Sequence, residues 1–168
     1  HQGAPFFAWI HLYDAHSPYE PPEPLRSRFA ARGLAALYDG EIAFADQQVA
    51  RLVAWLEKAG LDQKTVLVVL GDHGEGLGSH GEGTHGYFVY DYALHVPFLA
   101  VTPFAELGGK RVSSEVGTAD VFPTLLALAG VVPQVKPQGR SLLPLMFRPG
   151  RGSEVPAYGE AMASNIQF

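Results

Sequence analysis

The 168-residue chain contains no cysteine. Within these residues that excludes disulfides, thiolate metal sites and a cysteine nucleophile, and it leaves the redox compartment open. No apolar run approaches the roughly 20 residues that span a bilayer, so no membrane segment is expected in this chain. Charge is sparse, at 17% of residues with a formal net charge of -5, and no Lys/Arg cluster or basic aromatic platform appears. Nucleic acid is therefore not an expected partner. Internal repeats are absent, and so are three catalytic signatures. No G-x-S-x-G elbow is present, Gly71 to Gly86 holds no GK[ST], and a G-x-G-x-x-G match such as Gly76 to Gly81 does not open a helix. What remains is a 47% hydrophobic chain, long enough for one domain with a core.

The most informative stretch is Thr65 to Gly86, TVLVVLGDHGEGLGSHGEGTHG. Val66 to Leu70 is an unbroken apolar run that reads as a strand buried on both faces of a parallel sheet. Gly71 to Gly86 follows with seven glycines, three histidines (His73, His80, His85) and three acids (Asp72, Glu75, Glu82), Leu77 being its only apolar residue. So many glycines rule out a stable helix while letting backbone and side chains crowd one point. Imidazole and carboxylate there suit a metal or an anion, and in open α/β sheets ligands bind beyond the carboxyl ends of strands.

The rest of the chain frames this loop. Phe6 to Leu12 reads as a short buried strand, with His11 a packed residue inside it. The loop YDAHSPYEPPEP follows, stiffened by Pro18, Pro21, Pro22 and Pro24, and it holds His16 either toward the same sheet edge as Asp72 and His73 or simply at the surface. Apolar residues at Ile42, Ala45, Val49, Leu52, Val53 and Leu56 predict a helix over Leu34 to Ala59, stopped by Gly60 and weakened in its first turns by Gly40. Glu41, Asp46 and Gln47 fall on its solvated face. A helix feeding a strand is half of a crossover unit, which predicts an α/β fold with a largely parallel sheet flanked by helices. Tyr87 to Tyr92 reads as an aromatic patch covering the loop, and Val96 to Val101 as the next strand. A helix capped by Thr118 or Asp120 runs through Ala129. A proline- and glycine-punctuated loop anchored by Leu142, Leu143 and Leu145 comes next, and Ala157 to Ala161 reads as a last short strand.

Asp72 and His73 offer one hard oxygen and one imidazole nitrogen, a pair suited to calcium, magnesium, manganese or zinc, but two ligands do not make a site. His80 and His85 lack the spacing of a helical HExxH pair. From the residues alone, adventitious metal binding by a glycine- and histidine-rich tract stays as open as a built site.

The segments FFAWIHLYDAHSPYEPP, YDGEIAFADQQVARLVAWLEKAGL, TVLVVLGDHGEGLGSHGEGTHGYFVYD and TADVFPTLLALAGV with QGRSLLPL stand in an order that resembles the sulfatase family of the alkaline phosphatase superfamily, over about residues 5–145. The resemblance implies a single partial catalytic domain over residues 1–168, the later part of an alkaline-phosphatase-like fold. It implies hydrolysis of sulfate esters by an intact parent, or of phosphate or phosphonate esters, or phosphoethanolamine-type transfer, in related branches. A non-catalytic sulfatase-like binding domain is the competing class. By the same similarity Asp72 and His73 match the metal pair, His16 the histidine that contacts the substrate anion, and His85 the position where many sulfatases carry a lysine near the leaving-group oxygen. Histidine there titrates nearer neutrality than lysine and suits a proton donor. The implied cofactor is a divalent cation, calcium foremost, and the implied substrate a small-molecule or glycan sulfate or phosphate ester. The formylglycine nucleophile, from a C/S-x-P-x-R motif, and two further metal aspartates belong to an earlier part of such a domain. No such motif occurs in this chain. Many sulfatases place Asn where His73 stands, which leaves the substrate class open. An extracytoplasmic location follows from the resemblance only. A chain lacking its neighbouring strands is expected to be inactive and to self-associate through uncovered apolar surface.

Overall fold

The computed structural model describes residues 3–148 and 156–161. The chain forms two compact units, residues 1–59 and 60–168.

The first unit is built on two helices, α1 (Leu25–Ala30) and α2 (Leu34–Lys58). α2 ends where its apolar periodicity ends, with the Ala59 amide donating back to Trp55 O at 2.9 Å and Gly60 following at φ 63°. Its core contains Tyr19, Leu25, Ala36 and Leu56, with Pro21 fully buried. Gly40, which sequence alone marks as a weak point of the helix, is a contact. A Cβ there would stand 2.9 Å from Pro21 Cγ, so glycine lets the proline loop lie against α2. Tyr19 meets Tyr38 edge to face at 5.5 Å on the same side.

Two expectations fail in this unit. Residues 6–12 carry no strand, and Phe6, Phe7, Trp9 and Ile10 are 58–76% exposed. His11 is exposed as well. An aromatic, β-rich run becomes a strand only when another strand pairs with it, and no pairing of this run is found among the described residues. Glu41, assigned to the solvated face of α2, is 3% exposed and belongs to the interior.

The second unit carries a two-stranded sheet, β1 (Leu67–Leu70) and β2 (Phe98–Val101), in register from Leu67 opposite Val101 to Leu70 opposite Phe98. The pairing is antiparallel, so the largely parallel sheet expected from the sequence is not what the described residues form. A parallel pair requires a crossover, usually a full helix packed on the sheet. The connection from Gly71 to Pro97 instead turns back on itself, its α-helix being the four-residue α3 (Asp91–Leu94). β1 is correspondingly half-buried rather than enclosed on both faces.

Beyond β2, residues Thr118–Asp120 form a 3-10 turn that leads into α4 (Val121–Leu128), and α5 (Leu143–Phe147) packs against α4 and against the turn at Ala105–Leu107. Pro123 fits in the first turn of α4, where amides have no intrahelical acceptor. A polar knot ties this half together. Asp120 accepts the amides of Gly117 at 3.1 Å and Arg140 at 2.8 Å, while Thr124 donates to Asp120 O at 2.6 Å and accepts the Leu142 amide at 2.8 Å. Asp120, Thr124 and Leu142 are all buried, so each satisfied group avoids the cost of an orphaned one. Residues 156–161 form no strand, and the punctuated loop after Arg148 continues into residues outside those described.

Candidate active site

β1 ends at Leu70, and the Gly71 amide donates to Pro97 O at 3.1 Å, which sets the next residues at the mouth of the strand pair. From there the loop is pinned by its own backbone. Gly74 donates to Ala93 O at 2.8 Å, Gly76 to Thr84 O at 2.7 Å and Gly78 to Glu82 O at 2.8 Å. These approaches require glycine. A Cβ on Gly74 would lie 1.8 Å from Tyr92 O, and one on Gly76 would lie 2.4 Å from Thr84 O. A glycine-rich tract that sequence alone permits to be a floppy metal scavenger is therefore a folded loop with fixed crossings.

Three of the four residues singled out from sequence meet in this loop. Asp72 is exposed and its Oδ1 accepts the His73 amide at 3.0 Å, while its Oδ2 lies 3.9 Å from His73 Nε2. His73 Nδ1 lies 2.8 Å from Gly74 O. A carbonyl oxygen only accepts, so Nδ1 carries the proton and Nε2 keeps its lone pair, the state in which imidazole ligates metal. The His85 ring stacks on the His73 ring at 3.9 Å with 29° between planes. His85 Nδ1 in turn lies 3.2 Å from Glu75 Oε1.

Glu75 is the residue that sequence reasoning missed. Its side chain is only 4% exposed, and Oε1 also accepts the Gly76 amide at 3.2 Å. A carboxylate accepts only, so it fixes a proton of His85 on Nδ1. A second buried acid, Glu82, braces the far side of the loop, accepting the Tyr87 amide at 2.7 Å and the Tyr92 hydroxyl. The Tyr92 hydrogen bond outweighs burial and holds the Glu82 carboxyl below its usual value, while burial first and Glu82 second push the Tyr92 phenol up to about 12. His80, at φ 53°, stacks on Tyr90 at 4.0 Å and so packs against the aromatic patch rather than facing Asp72. The only signal for these acids in the sequence is that both lie between glycines with histidine as the sole nearby base.

His16 lies in the first unit. Its Nδ1 is 2.8 Å from Ser17 O, its ring stacks on Tyr13 at 4.7 Å, and the Tyr13 hydroxyl is 3.2 Å from the same nitrogen. As for His73, the carbonyl fixes a proton on Nδ1. The donor set fits a divalent cation in kind, with one carboxylate oxygen and one correctly protonated imidazole a short distance apart. It is half a site, because no group of three or more His, Asp or Glu able to hold a metal occurs among the described residues.

The strand-end loop thus gathers an exposed carboxylate, two stacked imidazoles and a buried acid behind the second imidazole. The sulfatase family model matches residues 1–131, and the chain belongs to the sulfatase family. Steryl-sulfatase of Rattus norvegicus is 31% identical over 156 residues, covering 84% of this chain and 26% of that protein. Arylsulfatase K of Bos taurus is 32% identical over 113 residues, covering 67% and 21%. Among solved structures, the phosphonate monoester hydrolase SpPMH from Silicibacter pomeroyi superposes with a TM-score of 0.59 at 30% identity, over 76% of this chain and 24% of that one. A protein solved with its substrate D-glucosamine-2-N,6-O-disulfate superposes with a TM-score of 0.55 at 28% identity, over 74% and 25%. The chain thus spans about a quarter of the length of these proteins. Among the described residues no helix is long and apolar enough to cross a membrane.

Proposed function

We propose that this chain is the part of a sulfate-ester hydrolase that supplies half of the metal site and the proton-donating side of the active site. The observation that carries the reading is the joint placement of Asp72, His73, His85 and Glu75 in one backbone-pinned loop after β1. Asp72 Oδ2 and His73 Nε2 would hold a divalent cation, calcium foremost, with its remaining ligands and the formylglycine nucleophile supplied from outside this chain. When bound, such a cation supplies positive charge to the ester's non-bridging oxygens as charge builds on them.

The chain's own residues do the rest. His16, with its imidazole doubly protonated, contacts the substrate anion and orients it. Transfer of the sulfuryl group to the nucleophile breaks the ester S–O bond and leaves an alkoxide or phenoxide; His85, doubly protonated with its Nδ1–H held by Glu75, gives up its other ring proton to neutralise it and is left as neutral imidazole. Glu75 keeps that ring in place, and the His73 stack limits its rotation. The substrate class is a small-molecule or glycan sulfate ester, consistent with the sulfatase relatives and with the disulfated sugar in one similar structure. A second reading, phosphate or phosphonate ester hydrolysis, is favoured by the likeness to the phosphonate monoester hydrolase.

The test is turnover of paired aryl sulfate, phosphate and phosphonate esters by the full-length protein, before and after chelation. Preferred sulfate turnover that chelation abolishes and calcium restores is expected, together with a loss on the order of 100-fold or more in Asp72→Ala. His85→Ala should slow esters of poor leaving groups far more than those of activated phenols. Full activity of Asp72→Ala would overturn the metal assignment, and an equal effect of His85→Ala on both leaving groups would overturn the proton-donor role.

A further inference from the structure

The loop that carries His16 rests on a charged side chain that the hydrolase reading leaves without a task. Glu41 lies about two turns into α2, where its neighbour Ile42 is 47% exposed while Glu41 itself is 3% exposed. Its Oε1 accepts the Glu20 amide at 2.6 Å, which ties the loop four residues after His16 to the helix. Its Oε2 is buried with no hydrogen-bond partner among the described residues. A carboxylate buried in this half-satisfied way costs stability, and an apolar residue of similar size would fill the space more cheaply. Burial is the largest influence on the Glu41 carboxyl and raises its pKa, and the Glu20 amide is the largest influence that lowers it. Tyr19 and Pro21, on either side of Glu20, are both buried.

We propose that Glu41 is a positioning residue for His16, its carboxylate clamping the loop of residues 16–20 onto α2 so that the His16 imidazole is presented to the substrate anion. The proposal rests on the reading of His16 as the anion contact. It differs from a general stabilising role in one respect: the whole effect of Glu41 on turnover passes through His16.

A double-mutant cycle in the full-length protein separates the possibilities, with turnover of an aryl sulfate as the readout. Glu41→Ala is expected to lower kcat/KM about 10- to 100-fold through misplacement of the imidazole. In a His16→Ala background the same substitution should change kcat/KM less than about 3-fold, because the group it positions is already gone. Glu41→Gln keeps the volume and an oxygen for the Glu20 amide, so it should fold and lose only part of the activity. It replaces Glu41→Ala in the cycle if that variant does not fold. Additive losses from His16→Ala and Glu41→Ala would overturn the clamp while leaving His16 in its role. Unchanged turnover in His16→Ala would overturn the reading of His16 and the clamp with it.

Discussion

Gly76→Ala tests most directly whether the histidine loop is a built structure. A Cβ on Gly76 would stand 2.4 Å from Thr84 O and 2.6 Å from Glu82 O, and these are the carbonyls that accept the amides of Gly76 and Gly78. Ordinary contact begins at 3.4 Å, so backbone on one side must retreat by about 1 Å. That motion breaks both hydrogen bonds, at roughly 1 kcal/mol each, and the crowding adds about 1–3 kcal/mol. A local destabilisation of about 3–5 kcal/mol follows. Amide hydrogen exchange reads it in place, because opening of the loop governs protection at Gly76 and Gly78, and about 3 kcal/mol corresponds to a fall in protection on the order of 100-fold. Gly83→Ala is the control. Nothing lies within 4 Å of its Cβ, so it should stay within about 0.5 kcal/mol of the parent. Equal protection in the two variants would refute the account of the loop as pinned by close backbone crossings.

Two pH experiments probe the buried acids. The Tyr92 hydrogen bond lowers the Glu82 pKa below 4.5, so its stabilisation is present above that value and is lost as pH falls through the folded-state pKa. Tyr92→Phe should therefore unfold at a higher pH during acid titration followed by circular dichroism, and an unchanged acid midpoint would contradict the assignment. Glu41 has the opposite sign. Burial raises its pKa above 4.5, so below that value both states are protonated and nothing is lost, whereas ionisation as pH rises through the folded-state pKa costs stability. Glu41→Gln should melt with the parent at pH 4 and above it at pH 7, and a less stable variant at pH 7 would show that the carboxylate is a net stabiliser.

What sequence reveals here depends on how local the physics is. α2 is legible because a 3.6-residue apolar period and a terminal glycine are properties of the segment itself. Glu41 is not, since nothing local marks which polar residue of the helix will lie beneath a proline loop. β1 and β2 are legible as strands to within two residues, yet their direction is not, because a short apolar run has no polarity and pairing is decided by how the connection folds. Antiparallel strands on mixed α/β sheets are common enough that the fold class does not decide the matter. The Phe6 to Leu12 run shows the converse, a composition suited to a strand without a strand beside it among the described residues. In the site, residue chemistry points to Asp72 and His73, the family resemblance adds His85, and the structure gathers the three in one loop. Glu75 escaped notice because irregular backbone, which no period describes, brings it ten residues back onto His85.

The self-pinned loop also bears on how such an enzyme is assembled. Gly76 and Gly78 find their acceptors at Thr84 and Glu82, and Gly74 reaches no farther than Ala93. Contacts this close along the chain close quickly and at small entropic cost, long before distant strands need to pair. The loop bearing Asp72, His73 and His85 is thus able to take shape on the ribosome or in a partly folded chain, before any distant strand has paired.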